Sequence, residues 1–116
     1  MADTFSGKTA EFIALQYLRL KGYALVSCNY VTGRGTGAGE IDIIVKNQNT
    51  LVFVEVKKRK NLETAAYAIL PKQQERIRRA AEVFLGRHPE YRSFDIRFDA
   101  ILVQNLFKIS HIENAF

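Results

Sequence analysis

Apolar positions recur along this chain first at helical and then at strand spacing. Ala10, Ala14, Tyr17 and Leu18 form one helical stripe, so residues 6–21 read as a helix with Ser6 as N-cap and Gly22 as the stop. Residues 23–31 are rich in aromatic and β-branched side chains and read as a strand. Gly33, Gly35, Gly37 and Gly39 then occupy every second position, the mark of a loop. Two strands follow at 40–46 and 50–57, joined by the polar Asn47-Gln48-Asn49, as in a β-hairpin. The stretch 58–68 carries no clear period. Pro71 opens a second helix with the stripe Ile77, Ala80, Ala81 and Phe84, expected to stop at Gly86. Strands at 94–103 and 107–112 complete an α-β-β-β-α-β-β order, which predicts one α/β domain over residues 1–116, a mixed sheet with helices packed on it.

The hairpin carries the chemistry. Along Thr50–Lys57 side chains alternate faces, with Val52, Val54 and Val56 on one and Leu51, Phe53, Glu55 and Lys57 on the other. Both faces begin apolar, so the strand is central, and a half-buried Glu and Lys at its end require a reason. A turn at Gln48-Asn49 pairs Asn47 with Thr50 and Lys46 with Leu51. Continued outward, that register sets Asp42 opposite Glu55 and Glu40 opposite Lys57. Opposed carboxylates about 5 Å apart repel by roughly 3 kcal/mol at an effective dielectric of 20. A raised pKa, a cation or Lys57 must offset this. Asp42 and Glu55 suit Mg²⁺ or Mn²⁺, hard ions that prefer oxygen ligands, and Lys57 suits an activated water or developing negative charge. The plainer alternative is an ion-paired patch in which Lys57 neutralises Glu55 and Glu40.

Charge extends this picture. Lys and Arg exceed Asp and Glu by 17 to 12, giving a net charge of +5. The excess favours polyanions and gathers beside the proposed site as Lys57-Lys58-Arg59-Lys60, a phosphate-binding run. Arg34 in the glycine loop suits close approach to a nucleic-acid backbone. Lys72, Arg76 and Arg79 share one helix face, which reads equally as a solvated surface. Tyr30 and Tyr67 suit base stacking or core packing, and His88 and His111 read as structural or exposed. The single cysteine, Cys28, excludes an internal disulfide and a Cys-based zinc site, and its apolar neighbours suggest a buried thiol. Residues 1–5 lack the basic start of a signal peptide, and no apolar run reaches membrane-spanning length. The expectation is a cytoplasmic protein without membrane contact, and a homodimer would suit a domain this small.

Gly39-Glu40-Ile41-Asp42-Ile43-Ile44, followed by Leu51-Val52-Phe53-Val54-Glu55-Val56-Lys57, resembles the YraN-type family of bacterial proteins. That family is similar to archaeal Holliday-junction resolvases and to the PD-(D/E)xK nuclease group. Residues 10–18, Lys21-Gly22-Tyr23, Gln74, Arg76-Ile77, Ala80-Ala81, Arg97-Phe98-Asp99 and 111–116 extend the resemblance over nearly the whole chain. It implies a restriction-endonuclease-like three-layer fold and a Mg²⁺ or Mn²⁺ site of Asp42 and Glu55, with Glu11 as a further acidic ligand. It also implies a catalytic role for Lys57. Gln74 suits orienting substrate or water beside the site, or a polar helix face. The Asp42, Glu55 and Lys57 set with its basic surroundings points to a metal-dependent endonuclease acting on DNA, branched structures included. Ile41 stands where the group's name has proline, and Gln73 where a basic residue often precedes Gln74. A nucleic-acid-binding or scaffold protein that does not cleave fits the same residues. An enzyme for a small phosphorylated substrate fits less well, because no phosphate-binding fingerprint is present.

Overall fold

Two helices enclose a five-stranded sheet in a computed structural model that describes residues 6–33, 38–60 and 69–116. The elements are α1 (Gly7–Leu20), β1 (Ala24–Val31), β2 (Glu40–Asn47), β3 (Thr50–Lys58), α2 (Pro71–Arg87), a single 3-10 turn at Pro89–Tyr91, β4 (Asp95–Asn105) and β5 (Lys108–Ile112). The sheet order is β1-β2-β3-β4-β5, antiparallel throughout except for the parallel β3–β4 pair. Parallel neighbours need a crossover, and α2 lies within it.

Alternation on β3 decides which helix each side chain meets. Val52, Val54 and Val56 pack with Ala10, Ile13, Ala14 and Leu18 of α1. Leu51 and Phe53 pack with Ile77, Ala80, Ala81 and Phe84 of α2. The central, doubly covered position expected of this strand is therefore observed, and residues 51–56 are all buried. Ser6 caps α1 by accepting the Thr9 amide at 3.1 Å, and Gly22 adopts φ +97, which favours glycine after the helix end.

Two expectations are corrected. Gly86 does not end α2, which runs to Arg87. A solvent-facing glycine costs a helix only about 1 kcal/mol, whereas Pro89 disfavours helix at His88. His88 also holds the last turn, with Nδ1 2.8 Å from the Phe84 carbonyl and its ring stacked on Phe84 at 4.0 Å. Cys28 is exposed rather than buried, because β1 is an edge strand with only partial cover. Tyr30 is engaged within the fold, edge-on to Phe84 at 5.1 Å with its hydroxyl accepting from Arg87.

A second polar cluster locks β4 to β5 under α1. Asp99, fully buried, accepts from Arg97 at 2.9 and 2.8 Å, and its Oδ2 lies 2.7 Å from His111 Nε2. Burial would push its carboxyl up, but the bonds to His111 and Arg97 outweigh burial and hold it below the usual carboxylate range. His111 thus has the structural role expected of it. No helix among the described residues is long and apolar enough to cross a membrane. Arg34 and Tyr67 lie outside the described residues.

Candidate metal and nucleic-acid site

The site forms where β2 parts from β3. Their ladder runs from Asn47–Thr50 to Ile43–Val54 and stops there. Beyond it, the amide of Val56 donates to Asp42 Oδ2 at 2.8 Å, so a side chain bonds β3 in place of a backbone carbonyl. Ile41, which strict alternation would send toward α1, packs instead with the α2-side cluster. Asp42 therefore sits at a break in the two-residue alternation, and the ladder does not extend to Asp42–Glu55 or Glu40–Lys57.

The two carboxyls meet nonetheless. Glu55 is 5 % exposed, and its carboxyl is pushed up to about 9 by burial first, then by its hydrogen bond to Asp42 and the charge of that residue. Lys57 pulls the other way, its Nζ 3.7 Å from Glu55 Oε2. Gln73, on the first turn of α2, donates through Nε2 to the same oxygen at 2.6 Å. Glu55 is thus held toward its protonated form beside Asp42, while Gln73 and Lys57 both meet its Oε2.

Glu11 reaches the site from α1. Burial, then the charge of Asp42, push its carboxyl up, and Lys8 lies on its outer side with Nζ 3.7 Å from Oε1. Glu40 is not Lys57's partner. Its Oε1 accepts from Asn29 Nδ2 at 2.8 Å, in the amide orientation that satisfies both ends of that side chain.

These groups line an open groove of about 320 Å³ between the start of α1 and the start of α2. Lys57, Lys58 and Arg76 supply its cations. Gly39 donates to the Arg76 carbonyl at 3.4 Å, which seats α2 against the start of β2. Lys72 and Lys60 are exposed, Arg59 turns its guanidinium onto the Lys58 carbonyl at 2.8 Å, and Arg79 pairs with Glu75.

Gln74 is held away from the groove, donating to the Ile69 carbonyl at 3.0 Å. Gln73 occupies the place beside the carboxyl pair expected of Gln74. The apolar stripe of α2 leads back to both residues at i−4 and i−3 from Ile77, and only the helix's rotation against β3 separates them. Asn29 gave no signal in the sequence, since strand alternation does not reveal a backbone irregularity.

The donor set fits a hard divalent cation in one respect and limits it in another. All the nearby ligands are oxygens, and the raised Glu55 carboxyl marks crowding of negative charge that a cation would relieve. Among the described residues, no three His, Cys, Asp or Glu side chains are gathered closely enough to hold an ion by themselves. Mg²⁺ commonly binds through one or two carboxylates and fills its other positions with water and substrate phosphate.

The same elements extend to known proteins. The chain is 44% identical to a UPF0102 protein of Paramagnetospirillum magneticum, over 94% of this chain and 84% of the relative. It is 43% identical to one from Bradyrhizobium diazoefficiens, over 96% and 80%. With one from Nitrobacter winogradskyi the figure is 42%, over 100% and 95%. Residues 10–103, which hold most of α1, all of α2, the carboxyl pair and the groove residues other than Gly7, match the family profile, and the chain belongs to the uncharacterised protein family UPF0102.

Proposed function

We propose that this protein is a metal-dependent endonuclease of restriction-endonuclease-like fold that acts on DNA, branched structures included, in the cytoplasm. One observation carries the reading: the buried Asp42–Glu55 carboxyl pair, with Lys57 on Glu55, opens into a groove whose other charges include Lys58 and Arg76. Asp42 and Glu55 would hold the cation, with Glu11 on the α1 side. Mg²⁺ or Mn²⁺ bound there supplies Lewis acidity at a phosphate oxygen and lowers the pKa of a bound water. The Val56 amide fixes Asp42, and Gln73 fixes Glu55, so neither side chain must reorient when Glu55 ionises. Lys57 lies where its ammonium can balance charge growing on a phosphate or orient the attacking water. Lys58, Arg76, Lys72 and Lys60 supply backbone contacts without sequence preference.

One feature favours a protein that binds nucleic acid without cutting it. Glu55 Oε2 is already engaged by both Gln73 and Lys57, a closed arrangement that needs no metal. One experiment separates the two. Purified protein is incubated with linear, single-stranded, flapped and four-way DNA in Mg²⁺ or Mn²⁺, beside an Asp42→Ala control. Cleavage of any substrate that the control lacks supports the endonuclease. Binding without cleavage, with either metal and all four substrates, replaces it with the binding protein.

A further inference from the structure

Within β1, Asn29 adopts φ +51, in the left-handed region. The other non-glycine residues with positive φ among those described are Gln48, in the hairpin turn, and Asn114, near the C-terminal end. Asn29 lies between the pairs Cys28–Ile43 and Tyr30–Ile41, directly across the sheet from Asp42. Asparagine tolerates this conformation better than most residues but gains nothing from it inside a ladder. What the conformation delivers is a side chain off its regular course. Its amide nitrogen donates to Glu11 Oε1 at 3.0 Å and to Glu40 Oε1 at 2.8 Å. Both N–H groups of one neutral amide are thus spent on two carboxylates from different elements, α1 and β2.

We propose that Asn29 is a positioning residue that fixes Glu11 in the groove it shares with Asp42 and Glu55, from where its carboxylate adds to the binding of a cation there. The inference rests on the reading of that site as a divalent-metal centre. Lys8 and Asn29 meet the same oxygen, Glu11 Oε1, from α1 and from β1, at 3.7 and 3.0 Å. The charge of Asp42 disfavours a second carboxylate beside it. Asn29 holds that oxygen without adding charge. A lysine or arginine in its place would neutralise the acids that are to bind the cation. An aspartate would repel them, and a glycine would keep the backbone but lose the donor. Asparagine combines the left-handed backbone with two N–H donors and no charge.

The test is a double-mutant cycle read by calorimetric Mn²⁺ titration, with urea unfolding of each metal-free protein as a fold control. Asn29→Gly keeps the backbone conformation and removes the amide. It should weaken Mn²⁺ binding about 10-fold or more, the range usual when a residue that orients a ligand is removed. Glu11→Gln should weaken it similarly, and the double variant no further, because both changes remove one positioned carboxylate. A purely structural Asn29 would give effects that multiply, and that result overturns the proposal. So does parent-like affinity in Asn29→Gly or in Glu11→Gln. If Asn29→Gly does not fold, Asn29→Asp keeps shape and backbone but offers Glu11 an acceptor. Its affinity should fall at least as far, and affinity at or above the parent's overturns the proposal. Parent protein that binds no Mn²⁺ overturns the metal site and this inference together. Loss in Glu55→Gln alone, with Asn29→Gly unchanged, overturns only the latter.

Discussion

Asp42 Oδ2 accepts the Val56 amide at 2.8 Å, so a carboxylate of β2 is anchored to the residue that follows Glu55 on β3. One bond thereby ends the ladder, aims Asp42 at its neighbour's carboxyl and frees β2 to diverge. The chemical features of the groove depend on that contact.

The first prediction concerns pH. The Glu55 carboxyl lies at about 9 in the folded protein against 4.5 in an ordinary environment. Between those values the folded state holds a proton that the unfolded chain has released, so stability falls as pH rises. The Glu55 contribution is full below about pH 4.5 and declines toward pH 9. Glu55→Gln removes this slope and should stabilise the metal-free protein at pH 7 by about 1–3 kcal/mol. Urea unfolding across pH 5 to 9 measures it. Parallel slopes in parent and variant would mean that Glu55 ionises normally.

Neighbouring glutamines should differ sharply. Gln73→Ala removes the donor on Glu55 Oε2 and should weaken Mn²⁺ binding about 10-fold. Gln74→Ala removes a hydrogen bond to the Ile69 carbonyl and should leave that binding within about twofold of the parent, since no metal ligand is touched. Equal losses in a titration of the two variants would refute the geometry given for α2.

Lys57→Arg distinguishes a charge partner from a participant in chemistry. Guanidinium keeps the charge but differs from ammonium in shape and proton-transfer properties. With an endonuclease, the variant should keep DNA binding and most metal binding yet lose most single-turnover cleavage. An unchanged cleavage rate removes Lys57 from the mechanism.

Replacing Lys58, Arg59 and Lys60 by Ala should weaken duplex binding evenly across sequences, because cations that meet only phosphates read no bases. The slope of log K against log salt should become shallower by about 0.9 for each phosphate no longer neutralised. Arg59, already turned onto the Lys58 carbonyl, should contribute less than the exposed Lys60. Unchanged affinity and slope would reduce the run to a solubilising surface.

Much of this architecture is legible in the residues because periodicity and a tight turn constrain them strongly. The stripe Ile77, Ala80, Ala81 and Phe84 is buried as its spacing requires. The two-residue turn sets the hairpin register up to Ile43–Val54, which suffices to bring Asp42 and Glu55 together. Legibility ends where regularity does. Glu40 escapes Lys57 because the ladder stops, and Asn29 takes a conformation that no alternation rule contains. Gln73 and Gln74 are separated by one step of about 100° around a helix, a rotation fixed by packing against β3 rather than by α2's own pattern.

The parallel β3–β4 pair sets an order of events during folding. β2 and β3 are joined by two residues and can zip within microseconds, whereas β4 reaches β3 only after the crossover containing α2 has closed. The rapid local step brings the carboxyl-bearing strands together, and the slower long-range step encloses them. The burial that raises the Glu55 carboxyl belongs to the closed fold, so the order of closure predicts that Glu55 takes up its proton after the hairpin forms, as the sheet closes.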